Sequence, residues 1–221
     1  MAESAHDHDQ DHRQLPPIVM EDHELTYFEK QLTAILNLLV EKKIITLDEL
    51  RRTIEENNAA TPAVGARIVA KAWTDGEFLA ALRQNANAAI AGIGIRPDRL
   101  TEAKIVTPVN TESLHHVVVC TLCSCYPRLL LGQPPDWYKS EAYRRRVVLD
   151  PRGTLLEMGL ELPASMEVRV VDSTAEVRYL VIPRRPAGAE GWGEAELARL
   201  VTKESMVGVA EALSPTAVLN G

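Results

Sequence analysis

The hydrophobic spacing of the chain changes period at Gly94, and that switch limits the fold more than any other feature. Before it, apolar residues recur three and four apart. Leu25, Phe28, Leu32, Ile35, Leu36 and Leu39 fall on one face of a helix expected from Leu25 to Val40. Thr46 with Glu49 makes a capping-box pattern ahead of Leu47, Leu50 and Ile54, so a second helix follows at once. Thr61-Pro62 predicts a third, with a cap and a first-turn proline, running through Val64, Ile68, Val69 and Ala72 to Trp73. Thr74 with Glu77 opens a fourth, ending near Gly92 and Gly94. Beyond Gly94 come short β-branched runs, His116 to Val119, Val168 to Val171 and Val177 to Ile182, which favour strands. Helices are interleaved with them: Asp150-Pro151 caps one that Gly159 closes, and Glu194 to Val201 reads as another. The expectation is an α+β protein, a helical N-terminal arm followed by a mixed α/β layered domain. Its parts are a solvated tail rich in His and Asp over 1–22, helices over 23–95, the α/β domain over 96–213 and a flexible C-terminus over 214–221.

Composition narrows the function classes. With 46% apolar and 25% charged residues in 221, the chain can bury a full core. A net charge of −7 argues against nucleic acid, which needs clustered cations on one face, and Arg144-Arg145-Arg146 is too short a run to reverse it. These three arginines read as a solvated or interface helix face. No apolar stretch approaches the ~20 residues of a membrane span, and the N-terminus is acidic, with His6, His8 and His12 in a segment that offers nothing to bury. A cytoplasmic protein is expected.

All three cysteines lie between Cys120 and Cys125. They cannot tie distant segments together, so a disulfide framework is excluded and their chemistry is local. The segment runs as a strand, Val117-Val118-Val119, into a loop, Cys120-Thr121-Leu122-Cys123-Ser124-Cys125-Tyr126-Pro127. Three soft ligands on one loop point to a metal. One reading is structural zinc, because His116 and Cys120 point to the same face of a strand and would complete a three-Cys, one-His tetrahedron. Against it, zinc usually draws its ligands from two separated knuckles, whereas Cys123-Ser124-Cys125 leaves one residue between thiolates. That spacing suits a planar chelate, with the Ser124 and Cys125 backbone nitrogens beside the Cys123 and Cys125 sulfurs and Cys120 below the plane.

The string Cys-Thr-Leu-Cys-Ser-Cys resembles the claw motif of nitrile hydratase α subunits, and Thr121 stands where the cobalt members have Thr and the iron members Ser. The likeness continues through the Gly65–Trp73, Gly132–Ser140, Ala175–Val181 and Arg185–Gly188 segments. The resemblance implies one low-spin, non-corrin Co(III) per chain, held by Cys120, Cys123, Ser124 and Cys125. Cys123 would be oxidised to a sulfinate and Cys125 to a sulfenate. It implies hydration of a nitrile, with the metal activating either the nitrile or water and the Cys125 sulfenate oxygen as a rival nucleophile. Ser124 would orient water through its hydroxyl.

Cobalt, three thiolates and two amidates sum to a charge of about −2, which needs cations close by. Within the loop Arg128 is the adjacent one, and in the family a β subunit contributes arginines and closes the pocket. A β-type partner, a cobalt-loading activator protein and a small nitrile substrate are thus expected, with no nucleic acid and no membrane. His115 and His116 read as packing residues rather than a base, Trp73, Trp137 and Tyr138 as core or interface, and no catalytic role falls to Arg178 or Tyr179. Arg128 is also where nitrile hydratases usually carry Trp, which makes it a candidate substrate contact. Arg128 and His115-His116 lean toward the cobalt subunit of thiocyanate hydrolase, whereas the Gly65 and Ala175–Tyr179 segments lean toward nitrile hydratase. A three-subunit nitrile hydratase for a bulky heteroaromatic nitrile is a third reading, and a structural zinc protein is the non-enzymatic one.

Overall fold

The computed structural model describes residues 26–95, 103–123 and 125–219, so the expected tail over 1–22 and Ser124 lie outside the described residues. The chain divides into two compact units, 1–50 and 51–221, with the division inside the second helix. The helices expected over 23–95 are therefore shared between the two.

In the first unit, helix α1 (Tyr27–Glu41) begins at Thr26. Its hydroxyl accepts from the Glu29 amide at 3.3 Å while the Glu29 carboxylate accepts from the Thr26 amide at 2.7 Å, a reciprocal cap that satisfies two orphan donors. Helix α2 (Leu47–Ala59) opens on the Thr46–Glu49 box read from the sequence. No residue of α1 is buried, and the apolar row Phe28, Leu32 and Ile35 is more than half exposed.

In the second unit, α3 (Pro62–Thr74) packs on α5 (Arg128–Leu131) and α9 (Glu194–Ala198), and α4 (Gly76–Gly92) packs on strand β1 (Lys104–Val106). The approach of α3 depends on Gly65, where a Cβ would come within 2.6 Å of the Met206 sulfur and 2.8 Å of a Leu131 methyl. Two caps differ from the sequence reading. Thr61 makes no side-chain cap bond, and Pro62 alone pre-sets the first turn of α3. At the next junction Thr74 ends α3, bonding back to the carbonyls of Ala70 and Lys71, and Asp75 caps α4 by accepting from the Phe78 amide at 2.8 Å. A carboxylate at a helix N-terminus outcompetes a hydroxyl one residue earlier. The single fourth helix is also kinked at Asn85, whose side chain caps Ala88.

The strands form two parallel pairs. β2 (Leu114–Val119) pairs with β3 (Glu167–Asp172), and β1 pairs with β4 (Val177–Tyr179), with a further parallel bridge from Val109 to Ile182. The expected strand to Ile182 thus stops at Tyr179, and β1 is an addition, held by Asn87 of α4, which bonds both Ala103 and Ile105. Parallel pairs need long crossovers. That between β2 and β3 carries α5, α6 (Asp136–Lys139), α7 (Glu141–Leu149) and α8 (Pro151–Glu157). β2 is buried along nearly its whole length, which is why Val117 to Val119 run on without a polar alternation. Asp150 caps α8 as expected, accepting from Gly153 at 2.9 Å. The C-terminal segment forms α10 (Lys203–Val207) and α11 (Pro215–Leu219). The bend after α10 requires Gly208, at φ +87°, where a Cβ would sit 1.9 Å from the His116 carbonyl oxygen.

Candidate metal centre

β2 delivers Cys120, fully buried, at its carboxyl end, and the chain turns there because Thr121 is gripped by the neighbouring strand. Asp172, the last residue of β3 and the register partner of Val119, accepts from the Thr121 amide at 2.9 Å and from its hydroxyl at 2.5 Å. The loop therefore forms beyond the carboxyl ends of two parallel strands, the place where such sheets carry their ligands. Cys123 then folds back: its amide donates to the Cys120 sulfur at 3.3 Å. The Cys120 and Cys123 sulfurs stand 3.4 Å apart, those of Cys123 and Cys125 3.1 Å apart, and all three lie within 4.8 Å of one another.

These separations test what the cluster suits. They are well beyond the ~2.05 Å of a disulfide, and no disulfide joins the three cysteines. With metal–sulfur bonds of ~2.3 Å, sulfurs 3.4 and 3.1 Å apart subtend roughly 95° and 85° at a shared ion, close to the right angles of planar or octahedral coordination. Tetrahedral zinc would spread the same sulfurs to ~3.8 Å. The fourth zinc ligand of the alternative reading is also not in place, since among the described residues the sulfurs of Cys120, Cys123 and Cys125 cluster without a histidine nitrogen. The donor set thus fits a thiophilic ion with near-right-angle geometry better than a zinc tetrahedron. Burial, then the contact with the Cys123 thiol, pushes the Cys125 thiol up to about 12, with Arg178 opposing the rise. A thiol so placed yields its proton when a cation takes up the charge.

The α6–α7 segment grips the loop by its carbonyls. Tyr138, fully buried, donates to the Cys125 carbonyl at 2.9 Å, and Tyr143 donates to that of Val118 at 2.7 Å. Arg144 reaches the carbonyls of Thr121 and Cys123. The arginine run, read as a solvated or interface face, is divided: Arg144 turns to the loop, Arg146 pairs with Glu157, and Arg145 is exposed. Trp137 stacks edge-on against Tyr143 at 4.9 Å and Trp73 donates to the Pro183 carbonyl at 2.8 Å, placing both in packing roles.

The structure thus brings together Cys120, Cys123 and Cys125. Ser124 lies outside the described residues, and Arg128 is exposed at the start of α5, its guanidinium making no hydrogen bond or ion pair among the described residues. Sequence reasoning missed Asp172, Arg144 and Arg178. The first was recoverable only from strand register and the second from helix phase, because Tyr143 and Val147 set the buried face of α7 and Arg144 flanks it.

His115 and His116 are buried away from the cluster. The Gly208 carbonyl can only accept, so His115 Nε2 donates to it at 2.8 Å, and His115 Nδ1 accepts from the Asn110 amide at 3.2 Å. Asn110 in turn accepts from the His116 backbone and Nδ1 at 2.8 and 3.0 Å. The network needs the His115 ring neutral, because its Nδ1 accepts while its Nε2 donates, whereas His116 Nδ1 donates to Asn110 in either protonation state. Burial holds both below the ordinary 6.5, with Arg184 lowering and Gly208 and Glu211 raising His115, and with Arg169 lowering and Glu167 raising His116. Below 6.5 the unfolded chain binds protons that the folded one refuses, so stability falls as pH drops from about 6.5 toward the folded values. Thermal melts between pH 8 and pH 5 are expected to show a fall in Tm of roughly 2–4 °C per kcal/mol lost, beginning near pH 6.5. The slope should flatten in a His115→Gln, His116→Gln double variant, and an equal slope in that variant would remove the histidines from the account.

The sequence profile of the family "Nitrile hydratase, alpha chain" matches residues 26–210. The chain is 47% identical over 196 residues to the high-molecular weight cobalt-containing nitrile hydratase subunit alpha of Rhodococcus rhodochrous, covering 88% of this chain and 96% of that one. It is 46% identical over 181 residues to the cobalt-containing nitrile hydratase subunit alpha of Pseudonocardia thermophila, covering 81% and 88%. It is also 39% identical over 196 residues to the thiocyanate hydrolase subunit gamma of Thiobacillus thioparus, covering 85% and 81%. Among solved structures it superposes on an arginine-to-tryptophan mutant of thiocyanate hydrolase with a TM-score of 0.79 at 38% identity, over 86% of this chain and 91% of that one. On a double-histidine mutant of the Fe-type nitrile hydratase of Comamonas testosteroni Ni1 the TM-score is 0.77 at 39% identity, over 87% and 94%.

Proposed function

The chain belongs to the nitrile hydratase alpha chain family, and from that premise we propose that it is the metal-binding catalytic subunit of a cobalt nitrile hydratase, adding water to a nitrile to give the amide. The observation that carries the proposal is the trio of sulfurs 3.1 and 3.4 Å apart beyond the end of β2, in a chain whose relatives are named as cobalt-containing alpha subunits. Cys120, Cys123 and Cys125, with the Ser124 and Cys125 backbone nitrogens, would hold one non-corrin Co(III). When bound, that ion supplies Lewis acidity toward the nitrile or water.

This chain's own residues do the rest. Asp172 fixes Thr121 and so the direction in which the loop leaves β2, and Tyr138 holds the Cys125 carbonyl on the side of α6. Preorganisation of this kind is what sets the three sulfurs before any ion arrives. The Ser124 hydroxyl orients the attacking water, and Arg128 contacts the substrate. Cys123 as a sulfinate and Cys125 as a sulfenate belong to the same proposal, the second offering its oxygen as a rival nucleophile.

A β-type subunit is part of the reading. Leu122, at the tip of the loop, is 85% exposed, the apolar row of α1 is open, and the relatives are named as subunits. A cobalt-loading activator protein and a cytoplasmic setting complete it; no helix of the described residues is long and apolar enough to cross a membrane. The second reading, the cobalt subunit of thiocyanate hydrolase, is favoured by Arg128 and by the similarity to the Thiobacillus thioparus chain.

The test is to produce the chain with its partner subunits in cobalt medium and to assay benzonitrile-like nitriles and thiocyanate side by side. About one cobalt per chain is expected, with peptide mapping showing two added oxygens on Cys123 and one on Cys125. Faster turnover of thiocyanate selects the second reading. Zinc bound to three unmodified thiols sinks both.

A further inference from the structure

Helix α7 sends a cation to the back of the cysteine loop. Arg144 is half-buried, and its Nη1 lies 3.4 Å from the carbonyl oxygen of Thr121 and 3.5 Å from that of Cys123. Its Nε is buried without a hydrogen-bond partner among the described residues. Holding a charged donor part-satisfied in this way is costly, and it persists where other contacts fix the side chain. The same segment supplies Tyr143 to the Val118 carbonyl and Tyr138 to that of Cys125, so four carbonyls around the cluster are engaged by donors from α6 and α7. Turning those carbonyls toward the helices fixes the peptide planes on which the sulfurs of Cys123 and Cys125 are mounted.

We infer that Arg144 is a positioning residue of the metal centre: its guanidinium holds the loop by the Thr121 and Cys123 carbonyls, so that this chain itself supplies a cation behind its claw. Its neighbours do not share the role. Arg146 is paired with Glu157, and Arg145 is exposed. A planar fork reaches two carbonyls at once where an ammonium is a single point charge, so lysine keeps the charge and part of the bonding, glutamine keeps one donor, and leucine keeps neither. The inference rests on the cobalt reading of the cluster, and the experiment separates the two.

The chain is co-produced with its partner subunits at limiting cobalt as wild type, Arg144→Lys, Arg144→Gln, Arg144→Leu and Arg145→Gln. Cobalt per chain, the cobalt–thiolate absorption band, the oxygens on Cys123 and the Tm of the metal-free complex are measured. Residues behind metal ligands typically carry ~10–100-fold in affinity, so Arg144→Gln and Arg144→Leu are expected to hold about a tenth of the wild-type cobalt or less. Arg144→Lys should recover about half or more with a shifted band, and Arg145→Gln should match wild type. The Tm of the metal-free variants should stay within about 4 °C of wild type, as expected for a loss near 1 kcal/mol. Wild-type cobalt with an unshifted band in Arg144→Leu overturns the inference while leaving the cobalt reading intact. A wild type that takes up no cobalt overturns the reading beneath it. Unfolding of the Lys, Gln and Leu variants alike also overturns the inference, since Arg144 would then serve the fold at large; if Leu alone unfolds, the Gln and Lys pair decides.

Discussion

Replacing Cys120 or Cys125 by alanine is expected to lower bound cobalt by more than ~100-fold in affinity and to abolish nitrile hydration, because a ligand must cost more than the ~10–100-fold typical of the residues behind it. The two positions fail differently. Cys120 is fully buried at the end of β2, and its sulfur receives the Cys123 amide, so its loss removes both a ligand and the anchor on which the loop folds back. Cys125 is half-buried, its thiol pushed up to about 12 by burial and by the Cys123 thiol. Removing it takes away the sulfur whose proton only a bound cation displaces. The fold should survive both changes: the Thr121–Asp172 grip and the tyrosine contacts from α6 and α7 do not pass through a sulfur. Circular dichroism should match wild type while metal analysis of the purified complex gives cobalt at the background level. Full activity in Cys125→Ala would falsify the claw.

The cysteine cluster was legible in the sequence because its chemistry is local. Three thiols within one loop meet whatever the rest of the chain does, and a strand ending in valines fixes where the loop starts. Helices whose caps are also local, such as α2 at Thr46–Glu49 and α8 at Asp150, were legible for the same reason. Contacts made by register or by packing were not. Asp172 meets Thr121 only because β3 pairs in parallel with β2, Val119 opposite Asp172, and no periodicity within either strand states that offset. β1 is three residues long and exists through its partner β4 and through Asn87, so its own sequence carries almost no strand signal. At α4 the competing signals were one residue apart, and the carboxylate of Asp75 displaced the hydroxyl of Thr74. Three consecutive arginines look alike to any composition rule, and only the phase set by Tyr143 and Val147 separates Arg144 from Arg145. The fold class followed from the change of period at Gly94, but the division into units did not, since within the second unit α3 packs on α5 and α9 and α4 packs on β1.

Arg128→Trp is expected to change which substrates the enzyme accepts while cobalt stays bound. Arg128 opens α5 directly after the Cys125–Tyr126–Pro127 turn, with its amide bonded to the Tyr126 carbonyl at 2.9 Å, and its guanidinium is exposed with no partner among the described residues. A cation so placed is available to a substrate. The competing account is that Arg128 only neutralises the claw. Two other cations weaken it, because Arg144 reaches the loop carbonyls and Arg178 opposes the rise of the Cys125 thiol, so Arg128 does not act on the loop alone. If the substrate is a nitrile with polar ring substituents, Arg128 donates to its heteroatoms. Tryptophan should then lower kcat/KM for such nitriles by about tenfold, since a charge-assisted contact contributes ~1.5–3 kcal/mol, and should improve simple aliphatic nitriles by giving them an apolar wall. If the substrate is thiocyanate, the same loss appears as a tenfold or greater rise in KM for the anion. Under neutralisation alone, Arg128→Lys keeps cobalt and activity, whereas Arg128→Trp loses cobalt before selectivity moves. The decisive measurement is therefore kcat/KM for a polar heteroaromatic nitrile, an aliphatic nitrile and thiocyanate, each normalised to cobalt content. Unchanged ratios among the three in a fully loaded Arg128→Trp enzyme would rule out any contact between Arg128 and the substrate.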